Sequence, residues 1–238
     1  QVLARENTAM PGVAGELFGP LASSYSDPAH MDATGNVTFG AVTKTARESI
    51  WYQPVAPAGG PPAKVFITGE TAPGTSGATF KSMKSPTIGS GGVITFRGFL
   101  NSDGDNAANL RNDGIWRGTG TNIASYASIL RRGDSGLPGM AVGSKVGNLW
   151  HSWLNNANHG AWIGQYDANG DGSSIPAPGD VYAIYTDLSG VMSLLIKAGD
   201  AAPGIAGATL ATFDLPIVGG AEQLVFLGKL TLGGAITA

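Results

Sequence analysis

Two acidic, turn-forming segments of the chain carry residues that could bind a cation. In the first, Asp167, Asn169 and Asp171 alternate with small residues ahead of a glycine. Oxygen ligands at the first, third and fifth positions of a loop suit calcium, a hard cation that takes about six to eight oxygens. The acidic ligand expected at the twelfth position is replaced by Pro178, so Asp180 would have to substitute for it. The sequence predicts calcium as a cofactor, with a solvated turn as the alternative, because Asp, Asn and Gly also favour turns. The second segment contains Asn101, Asp103, Asp105 and Asn106.

The tetrapeptide Gly133-Asp134-Ser135-Gly136 resembles the segment around the nucleophile of chymotrypsin-like serine proteases. Such a nucleophile needs a histidine base and a carboxylate behind it. The chain has only three histidines, and the sequence gives no sign of a triad. Thr71 and Ala201 replace Ser135 at the corresponding positions of two similar segments. We therefore attribute the tetrapeptide to an internal repeat and expect a protein without enzymatic activity.

The repeat consists of a strand-like apolar run, an acidic residue and a Pro-Gly turn. The Pro-Gly pairs begin at residues 11, 73, 138 and 203, and so recur after 62, 65 and 65 residues. Proline presets the first corner of a type II turn, and glycine supplies the positive φ of the second corner. A fixed period of this size is typical of repeat architectures. We expect the acidic residues to accept backbone N–H bonds in their own turns, with a ring of acids around a channel as the alternative. They are Glu6, Glu70, Asp134 and Asp200.

The repeats predict an all-β fold, since helical periodicity is not sustained anywhere in the chain. Each repeat contains four candidate strands, of which the fourth carries Trp51, Trp116 or Tyr182. Four strands in about 60–66 residues indicate a propeller-like array of antiparallel sheets, in which each sheet needs neighbours to bury both faces. We expect a single domain over residues 1–238, with repeats at about 1–63, 64–128, 129–194 and 195–238. Neither tryptophan nor tyrosine follows the third candidate strand of the last repeat, so that sheet is predicted to be incomplete.

A second pattern lies on the third candidate strand of every repeat. It reads Asp32-x-x-Gly35-x-x-Thr38-Phe39, Gly89-x-x-Gly92-x-x-Thr95-Phe96, Asn156-x-x-His159-x-x-Trp162-Ile163 and Gly219-x-x-Glu222-x-x-Val225-Phe226. The chain thereby resembles secreted bacterial tandem-repeat proteins named for an Asn-x-x-Gly-x-x-Ala-Phe motif, which often carry a C-terminal surface anchor. One copy keeps the asparagine and two keep the central glycine. The resemblance implies an exported structural or adhesive protein and supplies no catalytic residues.

Composition restricts the partners. Charged residues make up 13% of the chain and the net charge is −3, so no basic cluster exists to neutralise a nucleic acid. Cysteine is absent, which excludes disulfides and thiolate metal sites. No apolar run approaches the roughly 18 residues of a membrane span, and we expect an extracellular or cell-surface location. Two features predict a glycan: a glycosylation sequon at Asn36, and an aromatic-rich segment that could bind carbohydrate. That segment contains Trp150, His151, Trp153, His159 and Trp162.

An incomplete last sheet would leave backbone N–H and C=O groups unpaired, and such an edge accepts another strand. The strand could come from the chain's own first residues, from a neighbouring molecule or from further repeats of a longer chain. The predicted function is a non-enzymatic structural protein whose copies assemble head to tail, by strand complementation, into a filament or surface layer. The alternative is a monomeric propeller-type module that binds calcium, glycan or protein. The predicted assembly edges are Val2, Leu3, Ala4, Arg5, Val225, Phe226, Leu227, Leu230, Leu232 and Ile236.

Overall fold

The structure is a computed structural model that describes residues 3–20, 29–55, 60–101, 112–171 and 179–232. Apart from one short 3-10 turn, every regular element in these ranges is a β-strand, which confirms the all-β prediction. In the same ranges no helix is long and apolar enough to cross a membrane. The strands are β1 (His30–Met31), β2 (Val37–Val42), β3 (Glu48–Gln53), β4 (Ala63–Ile67), β5 (Phe80–Ile88), β6 (Val93–Leu100), β7 (Asp113–Thr119), β8 (Asn122–Arg131), β9 (Lys145–Leu154), β10 (Gly160–Asp167), β11 (Val181–Thr186), β12 (Ser193–Lys197), β13 (Ala208–Val218) and β14 (Leu224–Leu232).

The strands form four antiparallel sheets that follow one another along the chain. Sheet 1 contains β1 to β4, sheet 2 contains β5 to β8 and sheet 3 contains β9 to β12, and in each sheet consecutive strands are neighbours. Sheet 4 consists of β13 and β14 in the described part of the chain. No sheet closes on itself in these ranges, so the structure shows the antiparallel sheets of the prediction but no propeller.

The sheets begin and end one strand later than the predicted repeats. The runs expected to open the second, third and fourth repeats are β4, β8 and β12, and each closes the preceding sheet by pairing with its third strand. In a repeating sequence, the boundary between two units can be drawn on either side of the apolar run that precedes a turn. The backbone pairing with the third strand shows that each of these runs belongs to the preceding sheet. The predicted fourth strands with Trp51 and Trp116 are therefore third strands.

One type of turn connects the successive units. The N–H groups of Asn7, Gly69, Gly133 and Gly199 each donate to a carbonyl oxygen at the start of the next first-strand segment, at 2.7–2.8 Å. All four residues have positive φ angles, between 62° and 94°. Glycine adopts this conformation without a steric penalty, and asparagine tolerates it better than most residues. The four turns therefore define equivalent positions throughout the chain.

The acidic residue of the turn fixes its corner. Glu70 accepts the N–H of Ile67 at 3.0 Å, and the carboxylate of Asp200 accepts the N–H of Lys197 at 2.9 Å. Asp134 accepts the N–H of Arg131 in the same way, at 2.7 Å. The predicted turn role is thus confirmed for these three acids. For Glu6 the prediction is wrong, because Thr8 occupies the equivalent position and donates its N–H to the Arg5 carbonyl.

Consecutive sheets pack face to face, so each sheet has an inner face toward the preceding sheet and an outer face toward the next. Sheet 1 contributes Ile50 and Phe66 to a cluster with Phe80 and Trp116 of sheet 2. Sheet 2 contributes Ile115 and Leu130 to the cluster with sheet 3, and sheet 3 contributes Ile163 and Ile184 to the cluster with sheet 4. This stacking leaves the outer face of sheet 4 without a following sheet in the described part of the chain.

The inner face of each complete sheet centres on a large aromatic side chain of the third strand. Trp51, Trp116 and Tyr185 are each 0% exposed, and they pair across the strands with Phe39, Phe96 and Trp162. Tyr182, which the repeat spacing aligned with Trp51 and Trp116, is instead 42% exposed. Strand β11 carries two tyrosines three residues apart, and residues at this separation point to opposite faces of a strand. The spacing between repeats matched Tyr182, whereas Tyr185 is the one on the inner face.

Candidate assembly site at the last sheet

Sheet 4 is the last sheet of the described residues, and its outer face carries an exposed apolar patch. The side chains of Ile217, Val225 and Leu227 are 45%, 66% and 63% exposed. Ile217 and Val225 are register partners on β13 and β14, so they lie side by side. Leu224 and Phe226, which flank Val225 on β14 and point to the opposite face, instead pack into the cluster shared with sheet 3. In the described part of the chain no strand pairs with β14 on the side away from β13.

The exposure of Val225 distinguishes sheet 4 from the other sheets. When β14 is aligned with β2, β6 and β10 by register, the residues equivalent to Val225 are Thr38, Thr95 and Ala161, and all three are 0% exposed. At each of those positions the following sheet covers the outer face. Burying a Val, Leu or Ile side chain contributes about 1.5–3 kcal/mol. The outer face of sheet 4 therefore offers a favourable contact that the described part of the chain does not use.

The other predicted edge residues are spread over both ends of the stack. Leu3 and Ala4 are half-buried against a cluster on the inner face of sheet 1, whereas Arg5 is exposed. Phe226 faces sheet 3 rather than the outside, and Leu230 is 37% exposed. Val2, Ile236 and the side chain of Leu232 lie outside the described residues.

Two buried acids that sequence reasoning missed join the sheets to one another. The Glu48 carboxylate accepts the N–H of Met83 at 2.7 Å, and the Asp113 carboxylate accepts the N–H of Leu149 at 2.9 Å. Each contact connects the third strand of one sheet to the first strand of the next, and we call it a carboxylate bridge. The register of β5 and β9 shifts beside the donors, and such a β-bulge takes N–H groups out of the ladder. An acid three residues before a tryptophan in two repeats is the sequence signal that could have identified both.

The interface between sheets 3 and 4 is built differently. Tyr182 stands at the bridge position, three residues before Tyr185, and it carries no carboxylate. Its ring packs beside Trp150, with ring centroids 5.4 Å apart. A cavity of about 520 Å³ opens at this point, and its lining residues are Tyr182, Thr212, Phe213, Asp214, Leu227, Gly228 and Lys229.

The first predicted calcium segment forms a tight turn in the described residues. Asp167 is 1% exposed and accepts the N–H of Gly170 at 2.6 Å. Asn169 accepts the N–H of Asp171 at 3.0 Å and donates its side-chain N–H to that carboxylate at 2.9 Å. The ammonium of Lys145 donates to the Gly170 carbonyl at 2.6 Å, which places a positive charge beside the segment.

Among the described residues no group of three or more acidic or histidine side chains is arranged to hold a metal ion. Asp180 lies just before β11, and the segment with Asp103 and Asp105 falls outside the described residues. The contacts of the first segment agree with the turn alternative, and calcium binding stays a prediction.

The motif that resembles Asn-x-x-Gly-x-x-Ala-Phe begins in the turn between the first and second strands of each sheet. In two of its copies, the side chain of the first motif residue holds this turn together. Asp32 accepts the N–H groups of Thr34 and Asn36, both at 2.9 Å. Asn155 makes the same two bonds to Ala157 and His159, at 2.9 Å and 3.0 Å. The third copy is therefore shifted by one residue from the sequence alignment and reads Asn155-x-x-Asn158-x-x-Ala161-Trp162. Adjacent apolar residues, Trp162 and Ile163, made the two alignments indistinguishable in sequence. The motif's central glycine position has positive φ in every copy, at Gly35, Gly92, Asn158 and Glu222.

Replacing Asp32 by asparagine is expected to give a pH-dependent loss of stability. Burial raises the pKa of Asp32, but hydrogen bonds from Asn36 and Thr34 outweigh it, so the pKa lies below its ordinary value. A lowered folded-state pKa contributes stability that is present above the unfolded value of about 3.9 and is lost as the pH falls through the folded value. We expect a deficit of about 1 kcal/mol at neutral pH, shrinking below about pH 4.

Urea unfolding between neutral and acid pH measures this effect. Glu6→Gln is the matched control, because Glu6 is exposed and stands outside the turn position. An Asp32→Asn deficit that stays constant with pH would contradict the assignment.

The predicted glycan features are only partly accessible. Trp162 is 0% exposed and belongs to the core, while Trp150 and Trp153 are half-buried against the cluster with sheet 4. The Nδ1 atom of His159 lies 2.9 Å from a carboxylate oxygen of Glu222, and the side chain of His151 lies outside the described residues. The amide nitrogen of Asn36, which a glycan would modify, donates to Asp32 at 2.7 Å and to Thr34 at 2.9 Å. Glycosylation stays a prediction, and it would have to break these contacts.

Comparison with known proteins supplies a family but no function. No curated protein and no solved structure matches the chain. One family model matches residues 1–238, and its description is a family of unknown function, DUF7453. The all-β chain of stacked antiparallel sheets described above therefore belongs to the DUF7453 family.

Proposed function

We propose that the protein is a non-enzymatic structural protein whose copies assemble through the outer face and open edge of sheet 4 into a filament or surface layer. The observation that carries the proposal is the 66% exposure of Val225, at a position that is 0% exposed in every other sheet. Apolar residues on an outer face, next to a strand edge that no described strand pairs with, are typical of an interaction surface.

An open strand edge offers two kinds of contact at once. The N–H and C=O groups of β14 can pair with an incoming strand, and main-chain hydrogen bonds of this kind give affinity without regard to sequence. The alternation of side chains on β14, with Val225 and Leu227 outside and Phe226 inside, then fixes the register. We propose an extracellular or cell-surface location for the assembly, supported by the resemblance to exported tandem-repeat proteins.

The proposal is tested by replacing Val225 with lysine. Burying an unpaired ammonium in an apolar interface is costly, and we expect association to weaken by at least about tenfold, equivalent to about 1.4 kcal/mol. Light scattering after size exclusion measures the mass, and negative-stain microscopy shows fibres or layers. The matched control is Val142→Lys, at a fully exposed valine in a turn away from sheet 4. A wild-type chain that stays monomeric at its highest soluble concentration would contradict the proposal.

A second candidate function is a monomeric binding module with a propeller-like arrangement of its sheets. The cavity of about 520 Å³ beside Tyr182 favours it, because ligand sites of this size often lie between packed layers. The half-exposed pair of Trp150 and Tyr182 offers an aromatic surface for a sugar ring. Calcium, glycan and protein are the ligand classes that this candidate would take.

Calcium titration tests one part of the second candidate. If the Asp167 segment binds the ion, added calcium is expected to raise the melting temperature, since a ligand that binds only the folded state stabilises it. Asp171→Asn should abolish that increase, and magnesium at equal ionic strength is the control. An unchanged melting temperature with calcium would exclude this segment as a calcium site.

A further inference from the structure

We infer that the cavity between sheets 3 and 4 binds a small carboxylic acid, whose carboxylate takes the position that a bridging side chain occupies at the other two interfaces. The ligand class is a monocarboxylate with an aromatic or aliphatic body. The inference goes beyond the proposed self-assembly and does not depend on it. It follows from the equivalence of the first strands of the sheets.

At the interface between sheets 1 and 2, two neighbouring groups of β5 donate to one carboxylate. The Ser82 hydroxyl and the N–H of Met83 bind the same oxygen of Glu48, at 2.8 Å and 2.7 Å. At the next interface the N–H of Leu149 donates to the carboxylate of Asp113 at 2.9 Å. Hydrogen bonds to an ionised acceptor are stronger than those between neutral groups. A hydroxyl and the following N–H on a first strand therefore form a receptor for a carboxylate.

Strand β13 carries the same two groups in the same register. Met83 pairs with Gly98 of β6, and Phe213 pairs with Gly228 of β14. In both hairpins the register shifts two residues before this pair, so each first strand has the same bulge. Thr212 supplies a hydroxyl at the residue that precedes Phe213. The N–H of Phe213 and the hydroxyl of Thr212 thus take the places of the two bridge donors.

The third interface has a cavity where the first two have a carboxylate. Tyr182 stands at the bridge position, and its ring packs beside Trp150, with ring centroids 5.4 Å apart. The cavity of about 520 Å³ is lined by Tyr182, Thr212 and Phe213 among others. Space for a ligand therefore lies directly against the residues that carry the two donors.

The charges around the cavity favour a ligand with one carboxylate. Lys229 lines the cavity and is the register partner of Thr212, so a positive charge is attached beside the hydroxyl. Asp214 lines the cavity as well and would repel a second negative charge. Tyr182 and Leu227 supply aromatic and apolar surface for the body of the ligand. We therefore expect monocarboxylates with an apolar body to bind better than dicarboxylates.

Calorimetric titration with 3-phenylpropionate tests the site, and 3-phenylpropanamide is the matched neutral control. We expect the amide to bind at least about tenfold more weakly than the acid, a difference of about 1.4 kcal/mol. Lys229→Met should also weaken binding of the acid, whereas Lys81→Met, at an exposed lysine of β5, should leave it unchanged. Equal affinities for the acid and the amide, or no binding of the acid, would overturn the inference.

A second test restores the bridge within the chain and needs no ligand. Tyr182→Glu places a carboxylate at the position equivalent to Glu48, and Tyr182→Gln is the neutral control of the same shape. We expect Tyr182→Glu to melt at least about 2 °C above Tyr182→Gln, because the donors gain an ionised acceptor. It should also abolish binding of 3-phenylpropionate. A melting temperature at or below that of Tyr182→Gln would show that the donors form no carboxylate receptor.

Discussion

Replacing Asp113 by alanine is expected to lower the free energy of unfolding by about 3–5 kcal/mol, because it removes one partner of a buried ion pair. Asp113 is 2% exposed and accepts two hydrogen bonds from the Arg97 guanidinium, at 2.9 Å and 2.7 Å. Its carboxylate also accepts the N–H of Leu149 from sheet 3. The substitution would leave a guanidinium and an amide without their acceptor and would weaken the contact between two sheets. Equilibrium unfolding in urea at neutral pH measures the loss.

The half-exposed pair of Lys64 and Glu70 supplies the control for Asp113. Glu70→Ala is expected to cost only about 1–2 kcal/mol, since it removes a partly exposed ion pair and one hydrogen bond from a turn N–H. Asp113→Ala combined with Arg97→Met should recover part of the stability, because no unpaired charge remains buried. A loss for Asp113→Ala as small as that for Glu70→Ala would contradict a role in joining the sheets.

Replacing Trp116 by alanine is expected to cost about 3–5 kcal/mol, the range for deleting a large aromatic side chain from a core. Trp116 is 0% exposed, and its ring lies parallel to that of Phe96, with centroids 6.3 Å apart. Its indole N–H donates to the Pro73 carbonyl at 3.0 Å, so the side chain also holds the Pro-Gly turn of the same interface. Thermal unfolding followed by circular dichroism measures the loss.

Trp150→Ala is the matched control, because Trp150 is half-buried at the edge of the last interface. We expect it to cost clearly less, since part of the ring already contacts water. Equal losses for the two tryptophans would show that burial in the stack does not determine their contributions. Trp51→Ala should resemble Trp116→Ala, because the two residues occupy equivalent positions.

The sequence was sufficient to predict the fold class and the chemistry of the turns. The all-β prediction followed from the lack of helical periodicity, and the turn role of Glu70, Asp134 and Asp200 followed from their place before a Pro-Gly pair. Both depend on interactions between residues close together in the chain. Interactions of this kind can be recognised from the spacing of residue types along the sequence.

Features that depend on contacts between distant strands were not predicted, because the spacing within one repeat does not show which strands come together. The assignment of β4 to sheet 1 depends on its bonds to β3, and Tyr182 and Tyr185 are both aromatic residues on one strand. The bridge at Asp113 was missed because an acidic residue at the start of a strand is usually exposed to solvent. Only the packing of the next sheet makes it a buried acceptor.

Because Tyr182 replaces the bridging acid at the interface between sheets 3 and 4, we expect the sheets to separate in a defined order when the protein is stretched. Tension applied along the sequence of sheets meets a buried carboxylate bridge at the first and second interfaces, whereas at the third it meets the partly exposed contacts of His159 with Glu222 and of Asn155 with Gly219, beside a cavity. Polar contacts that water reaches contribute less than buried hydrogen bonds to a charged group. Under tension the hairpin of β13 and β14 would thus detach first, while the three complete sheets stay together.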